Sequence, residues 1–281
     1  MQLPRYSALL PAVAAALVLW PALAEARQAP ALGAPAARPL VVPEFGDRDV
    51  AELLAALDAA ILGSQPALSP EEAGYTLWTF IRRLQAGRMT PSQEASVIEH
   101  LAAIGRANTE YRPPVEQASF MVRALTVGKT APETTGVDLN GSAFSLGDYR
   151  GRVVVLAFSA EWCGICRSQY PYYRLMQELY ANWPLAILGV EAGARETVSR
   201  LKSQHGLTYR SWWDGTGTEG ARGPIASTWN VHGWPTTYVL DANGVVRFVD
   251  LRDEDLLKAV RQLLAEQADH AAEAAAPRHR Q

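Results

Sequence analysis

SAEWCGICR, residues 159–167, is the stretch that holds both cysteines of this 281-residue chain, with two residues between them. The run before it, VVVLAF at residues 153–158, is short, apolar and rich in β-branched side chains. Such a run is typical of a strand that is buried on both faces. After the cysteines, Leu175, Leu179 and their neighbours recur at helical spacing. The sequence therefore places the cysteine pair where a strand ends and a helix begins.

This position predicts a reactive first cysteine. The unpaired backbone N–H groups and the positive end of the helix dipole face Cys163, and both stabilise a thiolate. A thiol pKa lowered from about 8.5 into the roughly 3.5–7.5 range of such sites makes Cys163 nucleophilic near neutral pH. Cys166 is then placed to resolve a mixed disulfide. A purely structural bridge is less favoured, because closing so short a loop constrains the unfolded chain little.

Two distant segments resemble one known family. Residues 162–166, WCGIC, with Pro171 five residues beyond the second cysteine, resemble the active-site helix of thioredoxin. Residues 231–239, VHGWPTTYV, followed by the turn DANG at residues 241–244, are similar to the cis-proline loop and hairpin of the same family. The resemblance covers residues 128–267, about half of the chain.

The resemblance implies a set of site residues. Cys163 and Cys166 would be the redox-active pair, and Pro235 would be cis and would lie against the two sulfurs. The groove for the extended backbone of a partner protein would then be formed by Trp162, Gly164, Ile165, Trp234 and Pro235. Of the several tryptophans, Trp162 and Trp234 are the pair that we expect to be exposed.

The opening of this region points to a subgroup. GKTAPE at residues 128–133 and a predicted hairpin turned at Asn140-Gly141 resemble exported TlpA- and ResA-type reductases. The peroxiredoxin-related AhpC/TSA redoxins share this opening. A peroxiredoxin requires Thr or Ser three residues before its reactive cysteine and Pro seven before it. Ala160 and Leu156 stand there, which disfavours peroxide chemistry.

Other classes of site and partner are disfavoured by composition. A zinc site needs about four ligands, whereas the chain has no second cysteine pair and only five scattered histidines. His100, on a predicted helix with no cysteine or second histidine near it, is not expected to bind metal. The net charge of −3 and the lack of a dense Lys/Arg cluster argue against nucleic-acid binding. We therefore expect no metal, no cofactor and no nucleic acid.

The N-terminus predicts export. Residues 1–24 combine a basic Arg5, an apolar run over residues 8–20 and the small-residue pattern ALA at residues 22–24, as in a cleaved signal peptide. The alternative is an uncleaved anchor that tethers the protein to a membrane. The run is short for a span of about 20 residues and is interrupted by proline, so we expect a periplasmic or other extracytoplasmic protein.

The whole chain is 48% apolar, which is enough to form one large or two modest domains. We predict a thioredoxin-like α/β fold, with a central mixed sheet flanked by helices, preceded by a small all-α domain. The predicted boundaries are 1–24 for the signal peptide, 25–44 for a flexible linker, 45–125 for the helical domain, 128–267 for the thioredoxin-like domain and 268–281 for a disordered tail.

Four helices are predicted in the helical domain. Apolar positions share one face over residues 47–62. The second and third helices begin at Ser69 and Thr90, where each is followed by proline and then by Glu or Gln in capping-box spacing. The fourth covers residues 115–125. Farther on, strands are predicted at residues 153–158, 185–190, 207–214, 236–240 and 245–249, and helices at residues 194–205, 223–229 and 254–266.

Two departures from the family concern the proton of the second cysteine. Related proteins carry a carboxylate at the position of Ala157 or of Gln169, and neither residue here is acidic. Glu161 or Glu191 could take over that role, although we expect both to be solvated surface acids. His232 could assist a thiolate in its charged form, or it could be an ordinary loop residue.

The sequence thus predicts an exported thiol-disulfide oxidoreductase. Cys163 attacks a disulfide in a partner protein, Cys166 releases it, and an electron donor restores the dithiol. Two alternatives stay open: a DsbA-like oxidase or isomerase, and a redox-sensing binding protein in which the helical domain does the main work. Residue identities do not determine the direction of electron flow, because it depends on the reduction potential.

Overall fold

The computed structural model describes residues 39–215 and 222–275. The predicted signal peptide, most of the predicted linker and the last six residues of the chain lie outside these ranges. No helix within the described ranges is both long enough and apolar enough to cross a bilayer.

Four α-helices precede the sheet in residues 39–134, as predicted. They are α1 (Asp47–Ile61), α2 (Pro70–Leu84), α3 (Pro91–Ala107) and α4 (Arg112–Ala124). The hydroxyl of Ser69 accepts a hydrogen bond from the backbone N–H of Glu72, and the hydroxyl of Thr90 accepts one from that of Gln93. The side chains of Glu72 and Gln93 in turn accept the backbone N–H of Ser69 and Thr90. The capping boxes therefore set both helix starts. The fourth helix begins three residues earlier than predicted, since proline is well tolerated in a first turn.

A separate two-stranded hairpin follows, formed by β1 (Thr135–Val137) and β2 (Ala143–Ser145). Gly141 lies in the predicted turn with a φ of 85°. This left-handed conformation favours glycine, which explains why the Asn-Gly pair marked the turn.

The five strands predicted for the central sheet are all present. They are β3 (Val153–Ala160), β4 (Leu185–Ala192), β5 (Ser211–Trp213), β6 (Thr236–Leu240) and β7 (Val246–Val249). The order is β5-β4-β3-β6-β7, with β4 parallel to β3 and to β5, and with β6 antiparallel to β3 and to β7. The central β3 is buried along its whole length, which accounts for its unbroken apolar sequence.

Five helices complete the fold. They are α5 (Gly164–Ser168), α6 (Tyr170–Leu179), α7 (Arg195–Gln204), α8 (Pro224–Thr228) and α9 (Asp253–Ala275). Helices α6 and α9 pack on one face of the sheet, where Val155, Tyr173 and Leu263 belong to one buried cluster. The sheet is therefore a central layer between two apolar cores.

The helices of residues 45–125 contribute to the core on the other face of the sheet. Leu77 of α2 and Met121 of α4 belong to the same buried cluster as Leu156 of β3. The amide nitrogen of Gln85 donates to the hydroxyl of Tyr238 on β6 at 3.2 Å. The helical segment and the sheet thus share a core in this structure. That residues 45–125 and 128–267 are two separate domains remains a prediction.

Two segments differ from the expectation of disorder. Leu40 and Val42, in the predicted linker, pack against the core, and the backbone N–H of Leu40 donates to Gln262 at 2.9 Å. At the other end α9 continues to Ala275, past the predicted end at residue 267. This continuation is rich in alanine, which has the highest intrinsic helix propensity.

Candidate active site

The cysteine pair sits at the carboxyl end of the central strand. The backbone N–H of Cys163 donates to the carbonyl of Ala160, the last residue of β3, at 3.0 Å. Cys163 caps the short helix α5, and its Sγ accepts the backbone N–H of Cys166 at 3.0 Å. The two sulfurs form a disulfide. In the reduced protein the same N–H is placed to stabilise a thiolate on Cys163.

The two cysteines differ in access. Cys166 is only 1% exposed, whereas Cys163 is partly exposed. Gly164 and Ile165 between them are exposed, and 60% of Ile165 is accessible. Cys163 is therefore the more accessible of the two sulfurs to an incoming group.

The predicted proline loop lies at the same end of the sheet. The bond between Trp234 and Pro235 is cis, as the resemblance implies. Thr236, the first residue of β6, pairs with Phe158 near the end of β3. The loop therefore reaches the sheet beside the strand that leads to the cysteines, and Pro235 is buried there.

Trp162 and Trp234 meet beside the disulfide. Their ring centroids are 6.1 Å apart and the ring planes are inclined at 73°. Both side chains are partly exposed, whereas Trp212 and Trp229 are completely buried. The expected exposed tryptophan pair is thus brought together at the site.

Sequence reasoning missed two aromatic residues that continue this surface. Trp78 of α2 lies with its ring 5.5 Å from that of His232, and the ring of Tyr75 lies 5.6 Å from that of Trp78. A Cβ added at Gly233 would lie 3.8 Å from the Trp78 ring. No local signal could have revealed the contacts of Trp78 with His232 and Gly233, because they join segments about 150 residues apart in the chain.

Glu191 is not the surface acid that we expected. It is only 3% exposed and lies opposite Ser159 in the pairing of β3 with β4. Burial raises the pKa of the Glu191 carboxyl, and the charge of Lys202 partly offsets this effect. Burial, together with the charge of Glu191, raises the pKa of the Tyr170 hydroxyl to about 12. Since Tyr170 begins α6, four residues after Cys166, the buried carboxyl acts on the start of that helix.

Lys202 is the cationic partner in this buried cluster. Its ammonium donates to the carbonyl of Tyr209 at 2.7 Å and contacts the hydroxyl of Ser211. That hydroxyl is 3.4 Å from the Glu191 carboxylate. Burial lowers the pKa of Lys202 to about 8, although Glu191 acts in the opposite direction. The cluster is thus a buried pair of ionisable groups joined by a hydroxyl.

Glu161 is engaged differently. Its carboxylate accepts the backbone N–H of Ala194, which precedes α7, at 3.1 Å. Its own carbonyl accepts a bond from Arg167 at 2.8 Å. Glu161 is partly exposed. Its structural role is to join the start of α7 to the segment that leads from β3 to Trp162.

Gln169 is one of the two positions at which the family resemblance implied a carboxylate. It is buried, its amide nitrogen donates to the Asp253 carboxylate at 2.9 Å, and its oxygen accepts the Asp253 backbone N–H at 3.0 Å. These two bonds fix the junction of α5 and α6 to the start of α9. The side-chain amide of Gln169 is suited to this pair of hydrogen bonds because it offers both a donor and an acceptor.

His232 does not provide a positive charge near neutral pH. Burial and the nearby Arg222 lower the pKa of its imidazole to about 4. Its Nε2 lies 2.8 Å from the side-chain oxygen of Asn230 and 3.1 Å from the Arg222 guanidinium. A neutral imidazole cannot stabilise a thiolate by charge, so the ordinary-loop interpretation fits.

Within residues 39–215 and 222–275, no three side chains of His, Cys, Asp or Glu are grouped so that they could hold an ion. His100 forms a 2.8 Å contact with Asp58 of α1.

The mixed sheet, the Cys-Gly-Ile-Cys turn at the end of β3 and the cis-proline loop define a thioredoxin-like protein. A sequence model of the AhpC/TSA family matches residues 127–249. The chain is 33% identical over 125 residues to thiol-disulfide oxidoreductase ResA of Geobacillus kaustophilus, covering 44% of this chain and 68% of the relative. It is also 33% identical over 124 residues to thioredoxin-like protein YneN of Bacillus subtilis, covering 43% and 68%.

Among solved structures, the thioredoxin domain of a thiol-disulfide oxidoreductase from Bacteroides vulgatus is similar at 23% identity and a TM-score of 0.45, covering 50% of this chain and 99% of that one. The sequence matches, together with the observed sheet, confirm the predicted fold class. The chain belongs to the ResA family of thiol-disulfide oxidoreductases, and it is an oxidoreductase of that class.

Proposed function

We propose that this protein is an exported reductase that acts on disulfides in partner proteins through Cys163 and Cys166. The observation that carries the proposal is the unequal access of the two sulfurs. Cys163 is partly exposed and accepts an N–H bond, whereas Cys166 is buried behind it. This arrangement suits an attacking and a resolving cysteine.

The proposed reaction has two exchanges. The Cys163 thiolate attacks one sulfur of the partner disulfide, a mixed disulfide forms, and the other partner sulfur leaves as a thiolate that takes up a proton. Cys166 then loses its proton and attacks the Cys163 sulfur. The first partner sulfur leaves and is protonated, and the Cys163–Cys166 disulfide forms. Two electrons and two protons pass to the partner, and a thiol-based electron donor restores the dithiol.

The partner backbone is proposed to lie in a groove beside the disulfide. The exposed Gly164 and Ile165 form one side of it, and Trp162 and Trp234 form an apolar wall next to them. The buried Pro235 shapes its base. Aromatic walls suit polypeptide binding, since each ring buries a large area at little cost in side-chain entropy.

The proton of Cys166 is proposed to pass to Glu191. The Glu191 carboxyl is buried, its charge acts on Tyr170 at the start of α6, and its pKa is raised by burial. A raised carboxyl pKa lies closer to that of a thiol, so the transfer costs less free energy. Glu161 is the weaker candidate, because its carboxylate is already bonded to the backbone at the start of α7.

We propose that the protein is exported, on the basis of its N-terminal sequence and its family. Residues 1–24 carry the features of a signal peptide, and they are either cleaved after export or kept as a membrane tether. Expression of the full chain in a Gram-negative host, followed by fractionation and N-terminal sequencing, answers this. A mature N-terminus near Glu25 in the periplasmic fraction supports cleavage, whereas an intact chain in the membrane fraction supports the tether.

The cysteine roles are tested by trapping. Reduced Cys166→Ser protein should accumulate a mixed disulfide with a disulfide-bonded protein such as insulin, because no resolving thiol is present. Cys163→Ser protein should form none, since its remaining thiol is buried. Non-reducing gels and intact mass read out both. Equal trapping by the two variants would overturn the assigned order.

A further inference from the structure

We infer that Tyr75 and Trp78 of the helical segment extend the partner-binding groove and bind an apolar, extended stretch of the partner polypeptide beside its cysteine. The inference rests on the proposed function of the dithiol. It assigns to α2 a part in choosing the partner, which the sequence alone left without a role.

The first support is that the aromatic side chains of α2 lie next to the loop that carries Trp234. The rings of Trp162 and Trp234 are 6.1 Å apart beside the disulfide. The backbone next to Trp234 approaches Trp78, since a Cβ at Gly233 would lie 3.8 Å from that ring. The ring of Tyr75 lies 5.6 Å from that of Trp78. The two ring pairs are therefore joined through Gly233, and the surface of α2 borders the groove proposed for the partner backbone.

The second support is exposure. Tyr75 is 57% exposed and Trp78 is partly exposed. The core-facing side of α2 is made by other residues, among them Leu77, Ile81 and Leu84, which are at most 1% exposed. The sheet core does not require Tyr75 to be aromatic, and a large exposed aromatic side chain beside a binding site is typical of an interface.

The third support is charge. Arg82 lies over the Trp78 ring at 5.7 Å, and its guanidinium contacts the carboxylate of Asp250, so its charge is paired. His232, on the other side of Trp78, is neutral near pH 7. The charge nearest to the Trp78 ring is therefore paired, and the rings of Tyr75 and Trp78 themselves present an uncharged surface that favours an apolar segment.

The spacing of the rings suits an extended chain. The centroids lie 5.6 Å apart in the pair Tyr75–Trp78 and 6.1 Å apart in the pair Trp162–Trp234. Alternate side chains of an extended polypeptide are about 6.6 Å apart and point to the same side. Two apolar side chains on one side of the partner thus match the spacing of the rings within each pair, while its cysteine reaches Cys163.

The test uses three disulfides and the reduced full-length protein. One is a nine-residue peptide with a central cysteine bound to glutathione and Leu or Phe at alternate flanking positions. The second replaces those flanks by serine, and the third is glutathione disulfide, which cannot reach α2. The second-order rate constant for oxidation of the protein is measured by acid quenching, alkylation and intact mass. The variants are Tyr75→Ala, Trp78→Leu and the control Leu179→Ala, an exposed residue at the far end of α6.

We expect Tyr75→Ala and Trp78→Leu to lower the rate with the apolar peptide by about 5-fold or more, as for removal of an interface anchor. Their rates with the other two disulfides should stay within about 2-fold of the wild type, and Leu179→Ala should match the wild type throughout. Unchanged rates with the apolar peptide, or an equal fall with all three disulfides, would overturn the inference. If Trp78→Leu does not fold by circular dichroism, Tyr75→Ala alone decides. A wild-type protein that reacts with none of the disulfides would instead refute the proposed function.

Discussion

The ring of Trp78 lies 5.5 Å from the ring of His232, and this contact joins α2 to the loop that carries Pro235. The two segments also share a core beneath the contact, where Leu77 of α2 is buried in the same cluster as Trp229 and Tyr238. The loop beside the dithiol therefore packs against the helical segment. The stability of the helices and the geometry of the site should consequently depend on each other.

Replacement of Leu77 by alanine should destabilise the whole described fold. Leu77 is 1% exposed, and such core truncations typically cost about 2–5 kcal/mol. Since the core is shared, urea unfolding followed by circular dichroism and by tryptophan fluorescence should give coincident transitions, both shifted to lower urea. Separate transitions, of which only one moves, would show that the helices fold as an independent domain.

Replacement of Glu191 by glutamine should slow the formation of the Cys163–Cys166 disulfide from a mixed disulfide. The proposed proton acceptor is lost, and general bases typically contribute about 10²-fold or more. Because the pKa of Glu191 is raised by burial, the rate should also lose part of its dependence on pH, as followed by stopped-flow release of a chromogenic thiol. Glu161→Gln is the matched control and should behave as the wild type. An identical pH profile for Glu191→Gln would exclude the buried acid.

Replacement of Lys202 by methionine should move the same pH profile to higher pH. The charge of Lys202 lowers the pKa of Glu191 against the effect of burial, so its removal raises that pKa further. Lys258→Met serves as the control, because Lys258 pairs with Asp255 on α9 at 2.8 Å. A profile that stays in place, or that moves to lower pH, would show that the two buried groups are not coupled to the reaction.

Replacement of His232 by glutamine should flatten the acid limb of the stability profile. The pKa of His232 is lowered from 6.5 to about 4 in the folded protein. Between these values the unfolded chain binds a proton that the folded chain does not, so the free energy of unfolding falls as the pH falls. Urea titrations at several pH values should show a smaller fall in the variant. An equal fall in both proteins would contradict the lowered pKa.

Local sequence signals predicted most of the fold. The capping boxes at Ser69 and Thr90, the Asn140-Gly141 turn and the buried run of β3 each encode structure within a few residues. The cysteine pair and the cis-proline loop were likewise recognisable, because each keeps a compact pattern. The structure places both at one end of the sheet.

Features that depend on long-range packing were predicted less well. Leu175 and Leu179 were the residues whose spacing indicated the helix, whereas Tyr170, Tyr173 and Met176 form the buried face of α6. Tyrosine is ambiguous in a sequence because its ring is apolar and its hydroxyl is polar. The burial of Glu191 depends on Lys202, eleven residues away, and on a neighbouring strand, and no local pattern reports such a pair.

The most direct test of the proposed reductase is the reduction potential of the Cys163–Cys166 pair. The mature protein is equilibrated in glutathione and dithiothreitol buffers, and the fraction of free thiols is read by alkylation and intact mass, with Cys163→Ala as the control. A value near that of thioredoxin, about −270 mV, is the result that the account predicts. A value near that of DsbA, about −120 mV, would contradict it and would make the protein an oxidase.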